Sequence, residues 1–511
     1  MECKMNREAI AACEELYSGV QEQSVELDYI LPDYFPEICK LIQTRAEPEI
    51  VAYSVQDGVL SYELCVHVHV LYCSEQGGTV HCVHQKLNYS RTLELGRQSE
   101  QVTAELSAKT DYINCRAVNQ RRIDLRGAVS VKIRVSGMAK QEAVCDIFGA
   151  EAQMRRQPVS YVAKKLHAVR TITISETVEL GETKPAALEL LRTEVRLTEG
   201  ETKSIAGKTV AKGEADIRLL YACASGMETM AFNLPFSQIL DLEGVDESYL
   251  CRVTAELASC EVTPTARNDG EARAFACELQ IRLCCTAWKT GTASLVTDVY
   301  STQYPCEPTV SPVKLEQLPV PLAETISEQF SLSSPDSALS QVYDAWCVPK
   351  NIGTRMLPET DEAELSGMLG CSVLARDESG MPVMLEQEFP FTRLLPAPAG
   401  CIGASVRVQV SACSYTMAAG NAVSVKAELR LTGELRAAVN LPLVTDVTFD
   451  GEHPLTHDGD CALKLYYGVE GEAVWDIAKK YMTSISAVME ENELTGEQLA
   501  RNGMLLIPLV G

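Results

Sequence analysis

Four of the seven histidines, His67, His69, His81 and His84, fall in one short stretch that also contains Cys65, Cys73 and Cys82. Imidazole and thiolate are the usual ligands of zinc. If Leu64–Tyr72 is a strand, alternation puts Cys65, His67 and His69 on one face, and a hairpin in suitable register brings His84 opposite His69 on that face. Cys65, His67, His69 and His84 are therefore the candidate metal ligands. Against that set, structural zinc is ordinarily held by ligand pairs carried on turns, and the two related segments described below lack these histidines. The favoured reading is ordinary strand packing, with no metal and no other cofactor.

A second stretch, Gly200-Glu201-Thr202-Lys203-Ser204-Ile205-Ala206-Gly207-Lys208-Thr209, has the texture of a phosphate loop. Six residues separate its glycines where the motif needs four, and a strand rather than a helix N-terminus is expected to follow. The G-x-S-x-G elbow and the H-E-x-x-H zinc motif are absent, and no Cys/His nucleophile pairing stands out. The sequence predicts a non-enzymatic protein with no catalytic residues.

The elements that must carry these residues come in copies. Leu64–Tyr72 leads to Gly77 and then Leu87–Leu93; Ala215–Tyr221 leads to Gly226 and then Leu234–Leu240; Gly370–Ala375 leads to Gly380 and then Phe389–Leu395. The glycine follows an anchor leucine (Leu71, Leu220, Leu374) by six residues each time, as a hairpin turn with positive φ requires. A further alternating strand pair closes each copy: Val102–Leu106 with Ala128–Ile133, Val253–Leu257 with Cys277–Ile281, and Val406–Val410 with Val425–Leu431. Each copy opens with a proline (Pro32, Pro185, Pro335) suited to the first turn of a short helix.

The predicted fold is mainly β: three tandem antiparallel β-sandwich or barrel-like modules, each with a short helix, plus a C-terminal βααβ domain. The boundaries are 1–24 for an N-terminal helix, 25–150, 171–298 and 323–446 for the modules, and 462–511 for the last domain. The joints, expected at 151–170, at 304–322, where Pro305, Pro308, Pro312, Pro319 and Pro321 stiffen the chain, and at 446–461, predict a bead-like array.

Composition fits several folded domains in 511 residues, 46% hydrophobic and 23% charged. A net charge of −25 repels phosphate backbones and anionic lipid, which argues against nucleic acid. The charged N-terminus lacks the pattern of a secretory signal, and no window reaches the ~18–20 apolar residues of a spanning helix, so a cytoplasmic location and at most peripheral membrane contact are expected. The twenty cysteines are expected to be free thiols, with Cys284 and Cys285 pointing to opposite faces of one strand.

From Leu463 the texture changes. A strand (Leu463–Tyr467) and a turn (Gly468–Glu472) precede an amphipathic helix (Ala473–Tyr481), a second helix (Ile485–Glu491), Asn492-Glu493-Leu494 and a returning strand at Met504–Pro508. This order resembles the LysM family, with Trp475, Ile477, Ala478, Tyr481, Val488, Leu506 and Ile507 at its core positions. The resemblance implies a groove between the first turn and the loop after the second helix that binds N-acetylglucosamine glycans, here formed by Val469, Gly471, Glu472, Trp475, Asn492, Leu494 and Asn502. The turn reads Gly471-Glu472-Ala473 where the family has Gly-Asp-Thr, so its hydroxyl is missing.

Repeated β modules followed by a LysM-like end resemble the SipL/SpoVID-like spore-coat morphogenetic proteins with SPOCS modules, and Leu27–Ile38 resembles the opening of such a module. That resemblance implies a mother-cell protein at the forespore or spore coat surface that scaffolds coat assembly by binding a SpoIVA-type coat-basement ATPase. The alternative is a LysM-mediated binder of peptidoglycan or another N-acetylglucosamine glycan.

Overall fold

The computed structural model describes residues 4–74, 78–97, 99–266, 270–335, 338–357, 359–418, 421–455 and 462–509. Alternating apolar residues in long runs favour strands with one buried face, and the first six elements are all strands: β1 (Lys4–Ile30), β2 (Lys40–Gln56), β3 (Val59–Cys73), β4 (Val80–Glu94), β5 (Glu100–Asn119) and β6 (Arg122–Phe148). They form two open antiparallel sheets, ordered β1-β6-β5 and β2-β3-β4. The sheets face each other across one core, where Leu64, Val66, Val68 and Val70 of β3 and Val129, Val131, Ile133 and Val135 of β6 are buried together.

The plan repeats twice. The second module comprises β7 (Ala152–Glu179), β8 (Glu189–Glu199), the short β9 (Lys203–Ile205), β10 (Lys208–Cys223), β11 (Gly226–Asp241), β12 (Leu250–Ala266) and β13 (Ala272–Ser301). Its sheets are β12-β13-β7 and β11-β10-β8, with β9 on β10. The third has β14 (Cys306–Glu316), β15 (Val320–Ser333), β16 (Leu339–Leu357), β17 (Glu362–Asp377), β18 (Pro382–Pro396), β19 (Cys401–Met417) and β20 (Ala422–Phe449). Here β14 and β15 pair in succession with the two halves of β20, β19 also pairs β20, and β16-β17-β18 form the facing sheet. None of these sheets closes into a barrel.

The expected closing pairs are hydrogen-bonded neighbours, with Leu106 opposite Ile133, Leu257 opposite Ile281 and Val408 opposite Leu431. Gly226 and Gly380 hold φ of 130° and 89°, as their hairpins require, while Gly77 lies outside the described residues. In the second and third copies Phe236 and Phe391 stand directly across the ladder from Gly213 and Gly367. A Cβ at either glycine would collide with the ring.

The modules close into a ring. The last strand of each hairpin sheet packs on the first strand of the next module's: β4 on β8, β11 on β16, and β18 back on β2. The anchor leucines Leu71, Leu220 and Leu374 meet there in one buried cluster with Leu191 and Trp346. A second junction forms where the long first and last strands of the modules run past their sandwiches. Ala143, Leu295 and Leu443 are buried there with Ile10, Val159 and Leu315, and beside them Val144, Val296 and Val444 pack with Ile147, Val299 and Val447. Ion pairs between modules include Arg252–Glu434 at 3.0 Å, Arg407–Glu199 at 3.3 Å and Arg7–Asp446 at 2.6 Å. Arg218 of the second module also pairs with the fully buried Asp344 of the third, whose carboxyl is held above its usual range by that burial.

Several expectations are corrected by this arrangement. The N-terminal helix of residues 1–24 is instead the strand β1 from Lys4 onward, paired to β6 from Lys4–Phe148 to Ile30–Arg122; residues 1–3 lie outside the description. Its Glu- and Ala-rich composition favours a helix only weakly, and long-range pairing overrides that preference. No helix opens any module among the described residues; Asp336 and Ser337 of the third opening lie outside them. Pro32–Phe35 is a turn closed by Phe35 N–H on the Pro32 carbonyl. The carbonyls of this crossing between sheets are met by side chains rather than by helical N–H groups: Tyr72 donates to Pro36, and Arg121 to Phe35 and Asp33. Tyr221 and Arg273 do the same for Pro185, Gly181 and Lys184.

The bead-like array is corrected too, because the joints expected at 151–170 and 304–322 are largely strand, while the one at 446–461 leaves β20 after Phe449 and its residues 456–461 lie outside the described residues. β7 begins at Ala152, and Pro308 and Pro312 lie in β14, which pairs only with β20, so the missing N–H groups can face away from the ladder. Pro319 marks the break between β14 and β15. The module limits at 25, 171 and 323 therefore cut through strands β1, β7 and β15.

After the ring come β21 (Leu463–Gly468), α1 (Val474–Lys480), α2 (Ile485–Glu491) and β22 (Gly503–Pro508), with β21 and β22 paired antiparallel. The two helices have seven residues each. Among the described residues no helix is long and apolar enough to cross a membrane.

Because Leu443 is fully buried at the second junction, Leu443→Ala should cost about 2–5 kcal/mol. Urea unfolding followed by tryptophan fluorescence and by far-UV circular dichroism should show coincident transitions shifted together, since the junction belongs to all three modules.

Candidate functional site

Inside the ring lies a cavity of about 2540 Å³ whose wall takes residues from all three modules. The outward faces of β3 and β4 form part of that wall. The ladder places His69 directly opposite His84, with His67 two residues earlier on β3, and all three line the cavity. The imidazoles stack, His69 on His84 with centroids 4.4 Å apart, and His67 Nδ1 lies 3.0 Å from His84 Nε2. On its other side His67 Nε2 is 3.4 Å from Cys65 Sγ and 3.4 Å from Glu49 Oε2. His81 is apart from this group and faces Glu189 of the second module at 2.8 Å.

The three rings differ electrostatically. Burial alone would lower the His67 pKa, but the Cys65 sulfur and the charge of the Glu49 carboxylate beside its Nε2 outweigh burial and raise it to about 9. Burial, with Arg45 and the neighbouring imidazoles, holds His69 far below its usual value, and burial with His67 and Lys86 lowers His84 to about 4. One proton in the cluster, held on His67, is the arrangement these neighbours favour.

The phosphate-loop-like stretch is a hairpin, with Ala206 and Gly207 at positive φ between β9 and β10. It offers no helix N-terminus for an anion. Cys285 is in the core of the second module while Cys284 faces the cavity and Tyr53, and every cysteine among the described residues is free.

The seven residues expected to form a groove at the C-terminus divide. Val469, Gly471, Glu472 and Asn502 come together at the β21–α1 turn. Gly471 takes φ of 85° there with open space around it, Asn502 accepts from the Glu470 N–H at 2.6 Å, and Glu472 accepts from the Val469 N–H at 3.1 Å and from the Tyr466 hydroxyl at 2.5 Å. Glu472 thus takes over the bracing of the turn. Asn492 instead binds α2 to β22, donating to the Val488 and Leu506 carbonyls and accepting from the Leu506 N–H, and Leu494 packs into the domain core.

Trp475 is committed elsewhere. Only 6% exposed, it donates its indole N–H to Asp298 of β13 at 2.9 Å and meets Tyr300 edge-on at 5.1 Å. Lys479 reaches the same carboxylate at 2.7 Å, and the Tyr300 hydroxyl donates to the Thr483 carbonyl at 2.7 Å. These contacts seat the C-terminal unit on the ring. Asp298 and Tyr300 escaped sequence reasoning because they sit in the continuation of an ordinary strand far from the helices they hold. Also unforeseen is the outer face of the β21–β22 ribbon, where Leu465, Tyr467 and Met504 are between 60% and 66% exposed and adjoin Val469 of the following turn, 55% exposed.

Asp298→Ala removes the acceptor of both Trp475 and Lys479. It should loosen the C-terminal unit by about 1.5–3 kcal/mol, the usual worth of hydrogen bonds to a charged group, seen as faster amide exchange in 474–480 with little change in β1–β6.

No curated protein and no solved structure matches the chain. A family model does match part of it: residues 186–265, which run from the start of the second module's hairpin sheet through nearly all of β12, are similar to the family described as SipL, SPOCS domain.

Proposed function

We propose that the chain is a non-enzymatic scaffold of spore-coat assembly that binds a protein partner, a SpoIVA-type coat morphogenetic ATPase, at the forespore surface. The SPOCS match in the second module supports a sporulation-related role in protein interaction. The observation that carries the binding reading is the apolar stripe Leu465, Tyr467, Val469 and Met504, which stands exposed on a unit already seated on the ring by its opposite side. A stripe of this kind is a recurrent feature of protein interaction sites. The LysM-like order of the C-terminal elements fits a module adapted to a protein ligand, since its tryptophan is turned to Asp298.

The open turn at Val469 and Gly471 supports a second reading, in which the LysM-like unit binds peptidoglycan or another N-acetylglucosamine glycan. The two readings part in one experiment on the full chain. Leu465→Glu combined with Tyr467→Glu should weaken binding to an immobilised SpoIVA-type ATPase by roughly 10–100-fold, the equivalent of losing one or two buried apolar side chains. Gly471→Trp should leave that affinity unchanged. Muropeptide binding abolished by Gly471→Trp, with no affinity for the ATPase, would favour the glycan reading instead.

A further inference from the structure

We propose that His67, His69 and His84 bind one divalent transition-metal ion of the zinc class at the wall of the central cavity. One ring nitrogen from each residue lies within 4.8 Å of the other two. The 3.0 Å between His67 Nδ1 and His84 Nε2 is close to the roughly 3.3 Å that separates ligands around a tetrahedral ion with ~2.0–2.1 Å bonds. The positions are fixed by the ladder rather than by a loop: His69 and His84 are a directly opposed pair, and His67 shares their face two residues away.

A second observation comes from behind the ring of His67. Glu49 Oε2 is buried and accepts no hydrogen bond, yet it lies 3.4 Å from His67 Nε2. An ion on Nδ1 fixes the proton of His67 on Nε2, aimed at that carboxylate, and so supplies the missing donor. This is the carboxylate–histidine–metal relation found behind many metal-bound imidazoles. Cys65 also lies on the Nε2 side of His67, 3.4 Å away, so it belongs to this outer layer and is not a ligand. The nearby cation Arg45 faces Glu47 at 3.7 Å, and Glu47 also stands 3.6 Å from His69 Nε2, so carboxylates offset the positive charge around the site. His84 is exposed to the cavity, which leaves a coordination position for water or a ligand from the lumen, as in zinc sites with three protein ligands.

The test uses the full chain with any affinity tag removed, stripped with chelator and titrated with Zn²⁺ against a chromophoric competitor, then with Co²⁺ while recording visible absorption. The expected result is one Zn²⁺ per chain and the strong visible bands of four-coordinate Co²⁺. His84→Ala, at an exposed position whose loss circular dichroism should show to be harmless to the fold, should abolish stoichiometric binding. Glu49→Gln should weaken binding about 10–100-fold, and Cys65→Ser should leave it intact. Substoichiometric zinc in the unaltered chain would overturn the assignment, as would full binding by folded His84→Ala or loss of binding in folded Cys65→Ser.

Discussion

The structure rests on the apolar seam where three pairs of long strands meet. In each module the last strand runs out past its own sandwich, and the first strand runs beside it; the overhanging parts carry Val144, Val296 and Val444 to one place. A two-stranded ribbon alone is marginal in water. Three of them, each with an apolar face, solve the problem together, and each buried aliphatic side chain contributes on the order of 1.5–3 kcal/mol. The chain path follows from this. One module's strand arrives at the seam, the backbone reverses in a tight turn with Gly149, Ala150 and Glu151 at positive φ, and the next module's strand departs.

Once the seam is fixed, the hairpin sheets are held close enough to join at the other junction, where the three anchor leucines are buried together. The space between the junctions is lined by outward faces of the sandwiches, which would be solvated surface in isolated modules. Their charged residues therefore face one another: Arg407 of the third module reaches Glu199 and Glu256 of the second, and Arg436 approaches Glu105 of the first. The polar wall is the consequence of ring closure, and so is the enclosure of the histidine cluster. Equivalent strands of the other copies present different residues to the same lumen, which makes a nearly symmetric backbone carry an asymmetric chemistry.

The C-terminal unit depends on the same seam, since Asp298 and Tyr300 lie on the overhanging end of β13. That anchorage explains why Trp475 is spent on docking and why the opposite, ribbon side of the unit remains apolar and uncovered. A unit tethered only by its linker would keep both sides free; here the ring selects which one faces outward.

The sequence by itself determined the local and the repeated. Alternation marked most of the strands, the spacing from anchor leucine to glycine located equivalent hairpins, and period-two geometry put His67 and His69 on one face with His84 across from them, because these features depend on neighbours within one strand pair. Only the tertiary structure decided that residues 4–30 are a strand, that the expected joints at 151–170 and 304–322 are built largely of β structure, and that three copies form a ring rather than a string. Those outcomes rest on pairing and burial between residues more than a hundred positions apart, such as Lys4 with Phe148 or Val144 with Val444, and no local propensity encodes them. The same holds for Glu49 behind His67 and Asp298 behind Trp475: a carboxylate in a strand looks solvated until the fold shows what stands in front of it.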